Sequence, residues 1–233
     1  MIHLRRSADR GHADHGWLDT YHTFSFADYH DPDFMGFGTL RVLNQDRVAP
    51  GMGFPRHGHR DMEIVSYVLE GALEHQDSLG NGSQMRPGEV QLMSAGTGVL
   101  HSEYNASKKD GLHFLQMWIL PAQRSTPPRY EQKAFPEAER RGRLRLVVAP
   151  DGQDGALTIG QDARLHVGLL DGAERIQHAL APGRAGWLHV ARGELELNGQ
   201  RLGPGDGAAL LDEPRLELAR GHGAEFVLWE LAP

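Results

Sequence analysis

A chain of 233 residues without a single cysteine cannot use disulfides, thiolate metal centres or a cysteine nucleophile. Its net charge of −7 is mild and no basic stripe stands out, which sets direct nucleic-acid binding through phosphates aside. Its 29 glycines and 13 prolines, scattered rather than clustered, suit many short strands joined by tight turns and argue against a helix bundle or disorder. The opening Met1-Ile2-His3-Leu4-Arg5-Arg6 has no apolar stretch behind it, and no run is long enough to span a bilayer. A soluble cytoplasmic protein with no membrane partner is expected.

Taken in order, Thr23 to Phe26 alternates as a short strand with an aromatic face. His12, His15, His22 and His30 around it read as polar surface and turn histidines, since no two share a strand-face spacing. Leu40 to Leu43 is a strand closed by Asn44-Gln45-Asp46, and Glu63 to Leu69 is a β-branched strand ending at Glu70-Gly71. Asp77 to Gly82 is a turn, Pro87-Gly88 another, and Glu89 to Met93 alternates cleanly. His113 to Leu120 is apolar on both faces, as in a strand covered on two sides. Residues 122–143 break the rhythm, with Thr126-Pro127-Pro128 and a short helix over Pro136 to Arg141, and are predicted to link two domains, 1–121 and 144–233. Strands resume at 144–148, 165–170, 187–190, 194–197, 208–211, 216–218 and 226–231.

Two short pairs carry the chemistry: His57-Gly58-His59 and His101-Ser102-Glu103. Residues at i and i+2 of a strand point to one side, so two such pairs on neighbouring strands bring three imidazoles and one carboxylate together. Nitrogen and oxygen donors without thiolate suit a divalent transition metal better than calcium or magnesium. Glycines 58, 96 and 98 keep the chain around that point thin and leave room for a bulky planar ligand. His75, His113, His166, His178, His189 and His222 lack such a pattern and read as ordinary structural residues; Trp118, Trp187 and Trp229 read as core aromatics.

The second half repeats the first weakly: Trp187 to Gly193 parallels the strand ending at Gly71, and Pro204-Gly205-Asp206 parallels Pro87-Gly88-Glu89. The alignment sets Ala179 and Ala181 against His57 and His59, and Leu218 and Arg220 against His101 and Glu103. One metal per chain, in the first half, is expected.

Gly51, His57, His59, Glu63 and Gly71 resemble the first motif of the cupin superfamily, with Gly71 one residue late. The second motif is met in part: Gly88 and Gly96 fit, Ser94 stands for the proline, Val99 for the histidine, and His101 follows two residues on. The run Met93 to Glu103 resembles the signature of the pirin family, and Gly11 to Trp17, Thr23 to Phe26, Gly53 to Gly71 and Pro128 to Gln132 resemble its bacterial members. That resemblance spans essentially the whole chain. It implies an all-β bicupin of two tandem barrels (double-stranded β-helix or jelly roll) with short helices. It also implies a metal held by His57, His59, His101 and Glu103 in the amino-terminal barrel alone. Iron(II) is the first expectation, with manganese(II), nickel(II), cobalt(II), copper(II) or zinc(II) as alternatives that affinity order alone does not separate.

Glu63 shares a face with His57 and His59 by parity, and is expected as a partner behind a ligand histidine and as the fallback base to Glu103. The family resemblance further implies quercetin 2,3-dioxygenase chemistry. A small planar flavonol and dioxygen would be the substrates, and carbon monoxide would be expelled. The competing reading is a metal-dependent, redox-sensing regulator that binds protein partners. A monomer is expected.

Overall fold

Alternating side chains and frequent turns build three sheets, antiparallel but for one short pairing, in the computed structural model, which describes residues 1–232. In the first half a seven-stranded sheet runs, edge to edge, through Arg129–Ala134, Glu89–Ser94, Glu63–Glu70, Leu112–Ile119, Leu40–Val48, Leu18–His22 and Gly11–Asp14. It faces a four-stranded sheet of Gly53–His59, Val99–Asn105, Leu73–Asp77 and Gly82–Met85. Leu73 and Met85 of the smaller sheet pack on Val68, Leu112 and Phe114 of the larger, closing one end of the space between them. The all-β, tandem cupin architecture is thus present.

The second half is one nine-stranded sheet built on two long strands, Ala185–Leu197 and Arg215–Leu231. Each joins two strands that the sequence separates. Register shifts between Val190 and Glu196 keep the ladder intact while bending it, so the sheet folds over its own leucines, among them Leu188, Leu195, Leu218 and Leu228.

The segment predicted as a linker is no spacer. Arg129–Ala134 hydrogen-bonds along Glu89–Ser94 in the first half, while Ile2–Arg5 at the start of the chain pairs with Gly207–Leu210 in the second. Each half therefore receives an edge strand from the segment that precedes the other. After each edge strand comes a short helix and an arginine: Ser7–Asp9 with Arg10, and Glu137–Arg140 ending in Arg140. The two guanidinium groups lie over Gly205 and Gly88, at φ +82° and +84°, where a Cβ would stand 2.3 Å and 2.6 Å from them. The faint internal repeat is thus a repeat of structure, edge strands included.

Leu40–Val48 also runs on through Asn44-Gln45-Asp46, where the sequence suggests a turn. Asn44 and Asp46 line a cavity in the first half, and Gln45 reaches the second, where its amide donates to the Ala191 carbonyl at 2.9 Å. A strand whose inner face is polar looks like a loop in sequence. Between the halves, Phe24, Leu115 and Met117 share one core with Trp187, Val227 and Trp229. A buried polar knot pins the seam: Arg140 donates to Tyr67 and to Glu225 (3.1 Å), and Arg192 holds the other Glu225 oxygen (2.9 Å).

Candidate metal centre and its cavity

Gly53–His59 and Val99–Asn105 are neighbours, with His57 directly opposite His101 and His59 opposite Val99. Opposed residues share a face, so the spacing i, i+2 places all three imidazoles on one side of the small sheet. Ring centroids of His57, His59 and His101 lie 4.5 to 4.8 Å apart. Nδ1 of His57 donates to the Pro55 carbonyl at 2.8 Å, which leaves Nε2 bare, and that nitrogen faces Nε2 of His101 at 3.0 Å. Burial, with His57 alongside, pushes His59 down to about 4 and His101 down to about 2. Both are therefore neutral near pH 7, the form that ligates a metal. Three imidazole nitrogens converging within 4.8 Å of one another fit a divalent transition metal.

Glu103 lies one step to the side. It is buried, its oxygens accept from Gln116 Nε2 at 2.7 Å and Ser66 Oγ at 3.4 Å, and it clusters with His101 and His75 rather than with all three imidazoles. Burial, aided by Asp46 and opposed by the Gln116 and Ser66 hydrogen bonds, lifts it to about 7. His75 stands opposite Glu103 on the next strand. Both its nitrogens are taken, Nε2–H by Asp77 at 3.1 Å and Nδ1 by the Gln91 amide at 3.3 Å, so it buttresses the site.

A cavity of about 400 Å³ opens on His57, His59 and Glu103. Leu18, Phe26, Phe54 and Trp118 give it apolar walls; Thr20, His22, Asn44, Asp46 and Gln116 supply a few polar points. Trp118 meets Phe26 and His59 edge-on at 5.4 and 5.0 Å, so it is a cavity wall rather than the core aromatic that the sequence suggests. Trp187 and Trp229 are core. His22 is likewise no surface residue: it is buried, bonded to Asn44 at 2.9 Å, and lines the cavity.

The Pirin family model matches residues 3–119, and a model described as "Quercetinase C-terminal cupin domain" matches 146–231. The chain belongs to the pirin family. Among pirin relatives, "Quercetin 2,3-dioxygenase" of Escherichia coli (strain K12) is 47% identical over 233 residues, covering all of both chains. "Pirin-like protein" of Caulobacter vibrioides is 43% identical, again over all of both. The bacterial pirin YhhW from Escherichia coli, solved in complex with nickel(II), is 47% identical and superposes over all of both chains with a TM-score of 0.94.

Glu63 is where pirin geometry departs from the parity argument. The strand carrying the two histidines ends at His59; Asp61, at φ +50°, turns the chain out of the small sheet, and Glu63 begins a strand of the large one. Counting alternate faces across a change of sheet has no meaning. Glu63 is buried against the second half instead, accepting from Ser94 Oγ at 2.7 Å and from the Gly160 N–H at 3.2 Å, and bonds no histidine. No helix among the described residues is long and apolar enough to cross a membrane.

Proposed function

We propose that this pirin is a metal-dependent dioxygenase that opens the heterocycle of a quercetin-like flavonol. The observation that carries the reading is the convergence of three imidazoles, two of them on the wall of a largely apolar cavity, with buried carboxylates beside them. His57, His59 and His101 would hold the ion, with Glu103 as the carboxylate that would complete the set. Iron(II) remains the first expectation, and the nickel(II) complex of the Escherichia coli relative supports a divalent ion of this class. Bound there, the metal supplies a Lewis acid and a path for electrons between flavonol and dioxygen.

The chain's own residues do the rest. Phe26, Phe54 and Trp118 clamp a planar ring system and exclude water, while His22 and Asn44 offer hydrogen bonds that orient its polar rim. Oε1 of Glu103, held only by the long Ser66 contact, accepts the flavonol hydroxyl proton. Both oxygen atoms of dioxygen enter the product, one carbon leaves as carbon monoxide, and a phenolic ester remains.

The test is quercetin loss at its visible band with metal-analysed protein. His57→Ala and His101→Ala should abolish turnover together with the metal bound in the first half. Glu103→Gln should lower both, whereas Glu63→Gln should leave metal content unchanged. Turnover that survives both histidine exchanges would sink the proposal.

A further inference from the structure

The repeat leaves alanine, leucine and arginine where the first half has ligands, yet the second half gathers a different set. His166 on Ala163–Leu170, His178 on Ile176–Ala179 and Glu230 on Arg215–Leu231 bring their donor atoms within 4.8 Å of one another. The register explains how. His166 pairs with Leu228 and Arg164 with Glu230, so His166 and Glu230 are diagonal neighbours on one face. Ile176–Ala179 pairs with the far end of the same long strand, and the fold of the sheet lays His178 across from them.

Nε2 of His178 stands 2.8 Å from Oε1 of Glu230, Nδ1 of His166 3.4 Å from the same oxygen, and the two rings 5.2 Å apart. His166 is buried, and its Nδ1 has no hydrogen-bond partner. Burial pushes His166 down to about 4, so at neutral pH it offers a lone pair rather than a charge. Arg184 sits beside the carboxylate, Nε 4.0 Å from Oε2 with no hydrogen bond between them, and its charge is engaged by Asp162 at 3.0 Å. His178 is 22% exposed, which gives an ion a way in and a place for water.

We propose that His166, His178 and Glu230 form a second divalent-metal site, of the two-histidine, one-carboxylate type that suits zinc(II), cobalt(II) or nickel(II). It ties Ile176–Ala179 to the end of the long carboxy-terminal strand. It is separate from the cupin position, and it revises the expectation of one metal per chain.

Cobalt(II) titration of metal-stripped full-length protein tests it, read by bound metal after dialysis and by visible absorption. Wild type should hold two equivalents. His178→Gln, which keeps a donor toward Glu230, should hold one, as should Glu230→Gln; His12→Gln, at an exposed histidine, should hold two. His57→Ala with His59→Ala should keep one equivalent, lost on adding His178→Gln. A wild type saturating at one equivalent, or a second equivalent that survives His178→Gln or vanishes equally in His12→Gln, overturns the proposal.

Discussion

Where the first half lines its interior with His59, His101, Glu103, Asp46 and Asn44 around a cavity, the second fills the corresponding space with Leu188, Leu195, Leu218, Leu228 and Phe226. Strand order, turn glycines and exchanged edge strands are otherwise shared. The hollow half buries polar groups whose desolvation costs stability, and the cavity interrupts the hydrocarbon packing that would offset that cost. Its twin is filled, and the two halves share one core through Trp187 and Trp229. One duplicated scaffold thus divides labour between chemistry and support.

The sharpest way to break that division is at the seam. Glu225→Ala removes the one anion between Arg140 and Arg192 and leaves two guanidinium groups facing each other beside Tyr67. A loss of about 3–5 kcal/mol is expected in chemical denaturation, as for breaking a buried ion pair on one side. Two separated unfolding transitions in place of one would show that the hollow half depends on its twin. An unchanged single transition would show that the seam carries none of the stability assigned to it.

Within the halves the contrast is one of cavities. Leu228→Ala, in the fully packed interior, should cost about 2–5 kcal/mol, whereas Phe26→Ala, at a wall already facing open space, should cost less than about 1.5 kcal/mol and act on quercetin KM instead. Equal losses at the two positions would mean that the first half is as tightly packed as the second.

The paired histidines are legible in sequence because their relation is local: two residues apart on one strand, they need only a neighbouring strand in register. What escapes is whatever depends on which sheet a strand joins. Glu63 counts as a face-mate of His57 until Asp61 carries the chain into the other sheet. Arg129–Ala134, an edge strand of mostly polar, half-exposed residues, has no hydrophobic alternation to mark it, and Ile2–Arg5 finds its partner some 200 residues on. His166, His178 and Glu230 come from three strands and share no spacing at all.

A pH-dependent effect bears on the hollow half alone. Asp46 is fully buried beside the cavity, and burial, opposed by its Thr20 hydrogen bond and aided by Asp19, raises it to about 7. The folded protein therefore keeps a proton that the unfolded chain, with a carboxyl near 3.8, has already released. Between those values the folded state binds more protons, so stability falls as pH rises and the loss is complete above about 7. Asparagine cannot titrate, so Asp46→Asn should be more stable than wild type by about 2–3 kcal/mol more at pH 8 than at pH 5. Melting curves of both proteins at the two pH values decide it. Parallel curves would mean that water or a cation reaches Asp46 and keeps it ionised at little cost, in which case the polar interior of the first half needs less support from its twin than the packing implies.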